Sequence, residues 1–377
     1  MKMRDFGKLG IKGSAFGFGC MRFPTKEVDG KRVIDEELSI RMIRTAIDNG
    51  CNYIDTAYVY FDQESERVVG KALKDGYREK VFLATKLPVW MCNSSEDLEK
   101  FYRKQCENLD VEHIDFYLLH SMNLGSWENA KKIGAREFMT KLKEEGKISY
   151  ACFSFHDGYE AFETILNEYD WDMCQIQFNY MDVYHQAGLK GLQLAGSKGI
   201  PVVIMEGLLG GTLANVPDNV QKLFDEFPVK RTPVEWAFRW ICNHPEVATV
   251  LSGVSNMDQT RDNLRIFDTV EPGIMSEAEL ELIEKVREAF ESRRKIGCTG
   301  CRYCMPCPNG VDIPRIFRTW NDAFKFRNDL QGDRGYRRIV ADGCDATKCV
   351  ECGACEGICP QKLPIIEKLQ QAKSEME

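Results

Sequence analysis

The chain has 377 residues, 44% hydrophobic and 29% charged, with a net charge of −8 and a pI near 5.4. That length suits one large domain plus a small one, and the acidic balance argues against a nucleic-acid partner. No apolar run approaches the roughly 20 residues of a membrane span, and the start, MKMRDFGKLG, lacks a secretory apolar core, so no membrane partner and a cytoplasmic location are expected.

Short β-rich apolar runs recur at 14–19, 52–57, 81–86, 114–120, 148–154, 173–179, 201–207 and 248–254. Several are apolar almost throughout, as strands covered on both faces must be. Between them lie segments with helical spacing. Residues 35–50 carry Leu38, Ile40, Met42, Ile43, Ala46 and Ile47 along one face and stop at Gly50. Residues 94–109 open with serine and an acidic first turn. The runs at 135–147 and 232–245 repeat the pattern, the second with Pro233 in its first turn. Eightfold alternation of strand and helix predicts a (β/α)8 TIM barrel, an α/β fold. The rival open sheet usually carries a glycine-rich dinucleotide loop after its first strand, and GFGCMR at 17–22 lacks the third glycine. A charged helix at 276–295 ends the periodicity. The expected domains are 1–292 and 293–377.

In such a barrel chemistry collects at the C-terminal strand ends. Those ends offer Asp55 and Tyr60 on strand two, Lys86 on three, His120 on four, Ser154 on five, Gln175 and Asn179 on six, Glu206 on seven, and Ser252 and Ser255 on eight. Taken singly, each reads as a rim or core residue. Jointly, Asp55, Lys86 and His120 each end an apolar run, where a charge is costly unless paired.

Together these positions resemble the aldo-keto reductase superfamily. DTAYVY followed by SERVVGKAL is similar to its D-T-A-x-x-Y signature, and Lys86 and His120 match its ATK and LLH. The resemblance spans about residues 1–290 and implies an NAD(P)H-dependent oxidoreductase interconverting a carbonyl and an alcohol. In that scheme Tyr60 is the proton donor, Lys86 lowers its pKa, Asp55 holds Lys86, and His120 orients the carbonyl oxygen. By the same resemblance Ser154, Gln175 and Met205 hold the nicotinamide, although Phe155 stands where the family places asparagine. Gly253, Ser255, Asn256, Gln259 and Asn263 would face the rest of the cofactor. NADPH needs a cation for its extra phosphate. This loop offers only Arg261, so NADH is favoured.

The tail obeys other rules. Nine of the 16 cysteines follow residue 290. Cys298, Cys301 and Cys304 fall at successive x2 steps, closed by Cys307-Pro308. Cys349, Cys352 and Cys355 repeat the spacing, closed by Cys359-Pro360. The second set is the bacterial ferredoxin run C-x2-C-x2-C-x3-C-P, in which the fourth cysteine serves the neighbouring cluster. Two [4Fe-4S] clusters are therefore expected, one on Cys298, Cys301, Cys304 and Cys359, the other on Cys349, Cys352, Cys355 and Cys307. Zinc ribbons use two separated C-x2-C pairs without a third cysteine at the same step, and disulfides need an oxidising compartment. Cys344 is a spare thiol. Residues 313–326 read as an amphipathic helix that could dock the module on the barrel, and RGYRRI at 334–339 as a solvated basic face.

Both halves together resemble the subset of aldo-keto reductases ending in a ferredoxin-like domain, here as an auxiliary electron-transfer module with a possible redox-protein partner. Two alternatives stand beside that expectation: a barrel serving as a docking scaffold without hydride chemistry, and clusters that are purely structural.

Overall fold

The computed structural model describes residues 1–327 and 329–377. They form two compact units, one of Met1–Gly210 with Val234–Ser276, the other of Gly211–Pro233 with Glu277–Glu377.

The first unit is a closed parallel barrel. Its strands are β1 (Phe16–Gly19), β2 (Tyr53–Asp55), β3 (Phe82–Leu87), β4 (Ile114–Met122), β5 (Ile148–Phe155), β6 (Met173–Gln177), β7 (Val202–Met205) and β8 (Val247–Gly253). Each pairs in parallel with its sequence neighbour, and β8 pairs with β1 to close the ring. Helices cover the outside, which is why these strands are apolar on both faces. The helix Glu36–Asp48 starts where Asp35 accepts from the Leu38 amide, and Ser95–Leu109 where Ser94 accepts from Asp97.

Alternation along each strand sorts the interior into layers. Tyr53, Ala84, Phe116, Leu118, Cys152, Met173, Val203 and Ala248 pack together with Phe6 in a buried apolar cluster. Two residues further along β2, β3, β4, β5, β6 and β7 stand Asp55, Lys86, His120, Ser154, Gln175 and Met205, all lining one cavity. The period of two that fills the lower barrel thus brings the polar strand ends together above it.

Two hairpins lie outside the expected elements. Met3–Asp5 pairs with Lys12–Ser14 and delivers Phe6, fully buried, against Tyr53 and Phe116. Gly13 is required there, since a Cβ would fall 2.3 Å from the Phe6 ring. Thr25–Val28 pairs with Lys31–Ile34 through Asp29-Gly30, both left-handed, the residue pair a tight hairpin turn demands.

In the second unit the helix Glu277–Glu291, expected to close the barrel domain ahead of residue 292, packs on the helix Asp218–Glu226. The helix Ile313–Phe326 begins under an Asp312 cap and buries Ile313, Ile316, Phe317 and Trp320 in this unit's own core. The helices Arg334–Ala341 and Ile365–Met376 complete that core with Tyr336, Ile339, Leu369 and Met376. Arg334, Arg337 and Arg338 form an exposed stripe opposite Tyr336 and Ile339, the solvated face expected of RGYRRI. Among the described residues no helix is long and apolar enough to cross a membrane.

Candidate functional site

A cavity of about 350 Å³ opens at the C-terminal ends of the barrel strands. Lys86 is fully buried in its wall. Its Nζ donates to Asp55 Oδ1 at 2.6 Å, to the Thr56 carbonyl at 2.8 Å and to the Tyr60 hydroxyl oxygen at 3.2 Å. Those three bonds use all three ammonium protons. Tyr60 accepts from Lys86, so its own hydroxyl proton is left to point elsewhere. His120 stands edge-on to Tyr60, ring centres 6.0 Å apart, with Trp90 against it at 5.1 Å.

Burial raises the Asp55 carboxyl against the opposing pull of Lys86. Burial alone would lower Lys86, but Asp55 and Tyr60 outweigh it and hold the ammonium above its ordinary value. The Tyr60 phenol also lies above its usual value: burial raises it, Lys86 lowers it, and Asp55 adds to the rise. The net upward shift differs from the lowering expected from sequence, because desolvation of a phenolate here exceeds the attraction of one cation already paired to Asp55. His120 is driven well below 6.5 by burial, then by Lys86 and His156, and is neutral at ordinary pH.

Ser154 and Gln175 line the same cavity. Ser154 Oγ accepts from the Ser121 amide at 2.7 Å. Gln175 donates to Met205 Sδ at 3.5 Å while its Oε1 is buried without a hydrogen-bond partner among the described residues, an acceptor suited to a ligand amide. Phe155 points outward, fully buried at 5.2 Å from Phe162, and the next residue, His156, enters the cavity instead.

Of the eighth-strand set, Gly253 alone lines the cavity. Ser255 donates to Gln259, Asn256 caps the helix Met257–Phe267 by accepting from the Gln259 amide, and buried Asn263 donates to Ser252 Oγ at 2.8 Å. These residues build a helix N-terminus, a feature that favours phosphate, but Asn263 is spent inside the protein. Arg261 is exposed and lies 3.5 Å from Asp258.

Gly19, Met21, Arg22, His156, Glu206 and Leu251 complete the lining. Arg22 lies over Gly253, where a Cβ would meet it at 3.2 Å, and has no ion pair among the described residues. Sequence reasoning singled out neither Arg22 nor His156. Alternation from Cys152 through Ser154 was a signal for His156; Arg22 follows β1 in a loop and left none.

In the second unit the two cysteine runs share a backbone pattern. Gly300 and Arg302, two and four residues after Cys298, have φ of 71° and 64°; Glu351 and Gly353, two and four residues after Cys349, have 58° and 75°. Successive left-handed turns of this kind aim backbone N–H groups into concavities that suit anionic iron–sulfur centres. Cys304, Cys307, Cys349, Cys352 and Cys355 line one cavity with Val311, Ile358 and Leu369. Burial raises the Cys304 thiol, and Cys298, Cys301 and Cys359 push it the same way, so these four lie within electrostatic reach of one another. The cavity thus joins Cys304 of the first run to the cysteines expected to share the second cluster, and soft thiols in an apolar, left-handed cradle fit iron–sulfur chemistry. Among the described residues no three His, Cys, Asp or Glu side chains are gathered closely enough for a single metal ion.

Comparisons with known proteins agree with both halves. Residues 15–287 match the aldo/keto reductase family, and residues 297–363 match a 4Fe-4S dicluster domain. A probable aldo-keto reductase 1 of Glycine max is 36% identical over 158 residues, which span 39% of this chain and 44% of that one. An uncharacterized oxidoreductase, YqkF, of Bacillus subtilis is 25% identical over 299 residues, covering 70% of this chain and 90% of the other. Among solved structures, aldo-keto reductase AKR11C1 of Bacillus halodurans in its holo form superposes with a TM-score of 0.64 at 26% identity, over 76% of this chain and 96% of that one. An aldo/keto reductase of Klebsiella pneumoniae, solved with NADP and acetate, shares the fold at 22% identity and a TM-score of 0.60, over 76% and 95%. The chain belongs to the aldo/keto reductase family, as an oxidoreductase whose sequence continues after the barrel into a 4Fe-4S domain.

Proposed function

We propose that the protein interconverts a small carbonyl compound and its alcohol with a nicotinamide cofactor, through Asp55, Tyr60, Lys86 and His120. The observation that carries this reading is the buried ammonium of Lys86, held by Asp55 and donating to the Tyr60 oxygen at 3.2 Å. A buried charge cluster at a cavity mouth has no packing value that an apolar trio would not supply.

Nicotinamide bound in the cavity supplies the hydride. Gln175 Oε1 and Ser154 would hold its carboxamide, Met205 would bear on the ring, and Arg22 would meet phosphate over Gly253. Tyr60 gives its hydroxyl proton to the carbonyl oxygen in reduction and recovers it in oxidation. Lys86 stays fully protonated and stabilises the phenolate left behind, while Asp55 keeps the ammonium in place. Neutral His120 donates a hydrogen bond to the same carbonyl oxygen and fixes its approach. Arg261, exposed and beside Asp258, offers little to a second phosphate, which supports NADH over NADPH.

We assign the reductase to residues 1–292 and two [4Fe-4S] clusters to residues 293–377, the latter as an electron-transfer module for a redox partner. The decisive experiment is Tyr60→Phe in anaerobically purified protein. Turnover of an aldehyde panel is expected to fall at least a hundredfold while the NADH dissociation constant changes less than twofold. Retained turnover would remove Tyr60 from the chemistry. An NADPH dissociation constant well below that of NADH in the wild-type titration would reverse the cofactor preference.

A further inference from the structure

Between Tyr60 and the helix Glu64–Ala72, three consecutive non-glycine residues are left-handed: Phe61 at φ 50°, Asp62 at 51° and Gln63 at 77°. L-residues avoid this region, and a run of three persists only where the surroundings over-determine it. The turn closes on Tyr60 itself, whose carbonyl accepts from the amides of Gln63 at 3.1 Å and Ser65 at 3.3 Å.

What holds the turn is a buried polar network at the start of the following helix. Ser65 Oγ donates to the Cys20 carbonyl at 2.9 Å and accepts from Thr56 Oγ1 at 2.9 Å. Glu66 Oε1 accepts from Thr85 Oγ1 and from Gln105 Nε2, each at 2.7 Å, and Oε2 accepts from Asn108 Nδ2 at 3.0 Å. Ser65, Glu66, Thr85 and Gln105 are all fully buried. Gln105 Nε2 also reaches the Lys86 carbonyl at 3.1 Å, and the Thr56 carbonyl receives Lys86 Nζ. One helix turn is therefore tied to the ends of β1, β2 and β3, and through Gln105 and Thr56 to Lys86, which donates to the Tyr60 hydroxyl.

A carboxylate buried with no cation bonded to it is costly, so Glu66 needs a reason beyond packing. We propose that Ser65 and Glu66 are positioning residues that lock the left-handed turn at 61–63 and thereby hold the Tyr60 hydroxyl against Lys86. They touch neither substrate nor cofactor and act through Tyr60. This inference rests on the proposed role of Tyr60.

Glu66→Gln keeps the shape but presents an amide donor to groups that themselves donate; Ser65→Ala removes the ties to Cys20 and Thr56. In each, kcat for aldehyde reduction is expected to fall tenfold or more with the NADH dissociation constant within twofold, and hydrogen exchange at the Gln63 and Ser65 amides to rise at least tenfold. The distinguishing readout is rescue. Asp62→Gly with Gln63→Gly, which admits the left-handed turn without steric cost, is expected to restore most of the lost kcat in either background. A purely structural defect would be worsened by two added glycines. Unchanged amide exchange in both variants, or no recovery on adding the glycines, overturns the proposal. Should the wild type reduce no carbonyl, the reductase reading fails separately and amide exchange alone decides the positioning role. Should Glu66→Gln not fold, Ser65→Ala carries the same test.

Discussion

At the scale of single residues, the chemistry turns on where protons reside. Lys86 donates to three acceptors at once, so the Tyr60 hydroxyl cannot donate back to it and is free to serve the cavity. Burial holds the phenol above its ordinary value of 10.0, and burial with Lys86 and His156 holds His120 well below 6.5. In the proposed mechanism reduction needs protonated Tyr60, a form present below its raised pKa and lost as pH rises through it. Neutral His120 is present above its depressed pKa and lost only as pH falls through that value. The kcat/KM for aldehyde reduction is therefore expected to be flat from about pH 7 to about pH 9. An acid limb near 6.5 would contradict a buried neutral His120; an alkaline limb well below 10 would mean that Lys86 outweighs burial at Tyr60.

At the scale of elements, Phe6 shows how a short hairpin shapes the barrel. Its ring fills the base among Tyr53, Phe116 and Met173, so the cavity opens only at the opposite end. Phe6→Ala is expected to cost about 3–5 kcal/mol in reversible denaturation while leaving the NADH dissociation constant within threefold, since the lost ring lies one layer below Asp55 and Lys86. A loss under about 1 kcal/mol would mean that neighbouring side chains close the gap. Phe6 also marks the limit of sequence reading. The eight strands were legible because each is an apolar run between amphipathic helices, and Asp55, Lys86 and His120 were legible because each ends such a run. The hairpins at 3–14 and 25–34 have strands of only three or four residues, too short to leave a periodic signal. The helix Glu64–Ala72 was quoted only as part of a motif, and the left-handed turn ahead of it carries no glycine to announce it. The loop after β8 fared least well: Asn263 has the residue type of a ligand contact, yet its amide is bonded to Ser252. Polarity on a loop says that a partner exists, not whether it is inside the protein.

At the scale of the whole molecule, an aldo/keto reductase barrel and a 4Fe-4S domain stand in one chain, and the carriers proposed for them differ in stoichiometry. A hydride carries two electrons, whereas each cluster passes one. A hydride's pair reaches one-electron centres only through a group that splits it, so in the proposed scheme the clusters exchange electrons with a redox partner, not with nicotinamide directly. The ligand sets make the cluster count testable. Cys352 lies in the exposed turn of the second cysteine run, and its proposed cluster is completed by Cys307 from the first. Cys352→Ala is expected to remove about half of the bound iron, because the other set, Cys298, Cys301, Cys304 and Cys359, includes none of its partners. The helices Ile313–Phe326 and Ile365–Met376 have an apolar core of their own around Trp320 and Leu369, so they should remain folded by circular dichroism and amide exchange. NADH-dependent aldehyde turnover is expected to stay within twofold, while cluster reduction by dithionite, followed by electron paramagnetic resonance, should lose one of two signals. Full iron retention would overturn the crossed ligand sets. Collapse of those two helices would make the clusters folding elements, since a module that needs its metal to fold gains structure, and not electron flow, from each cysteine.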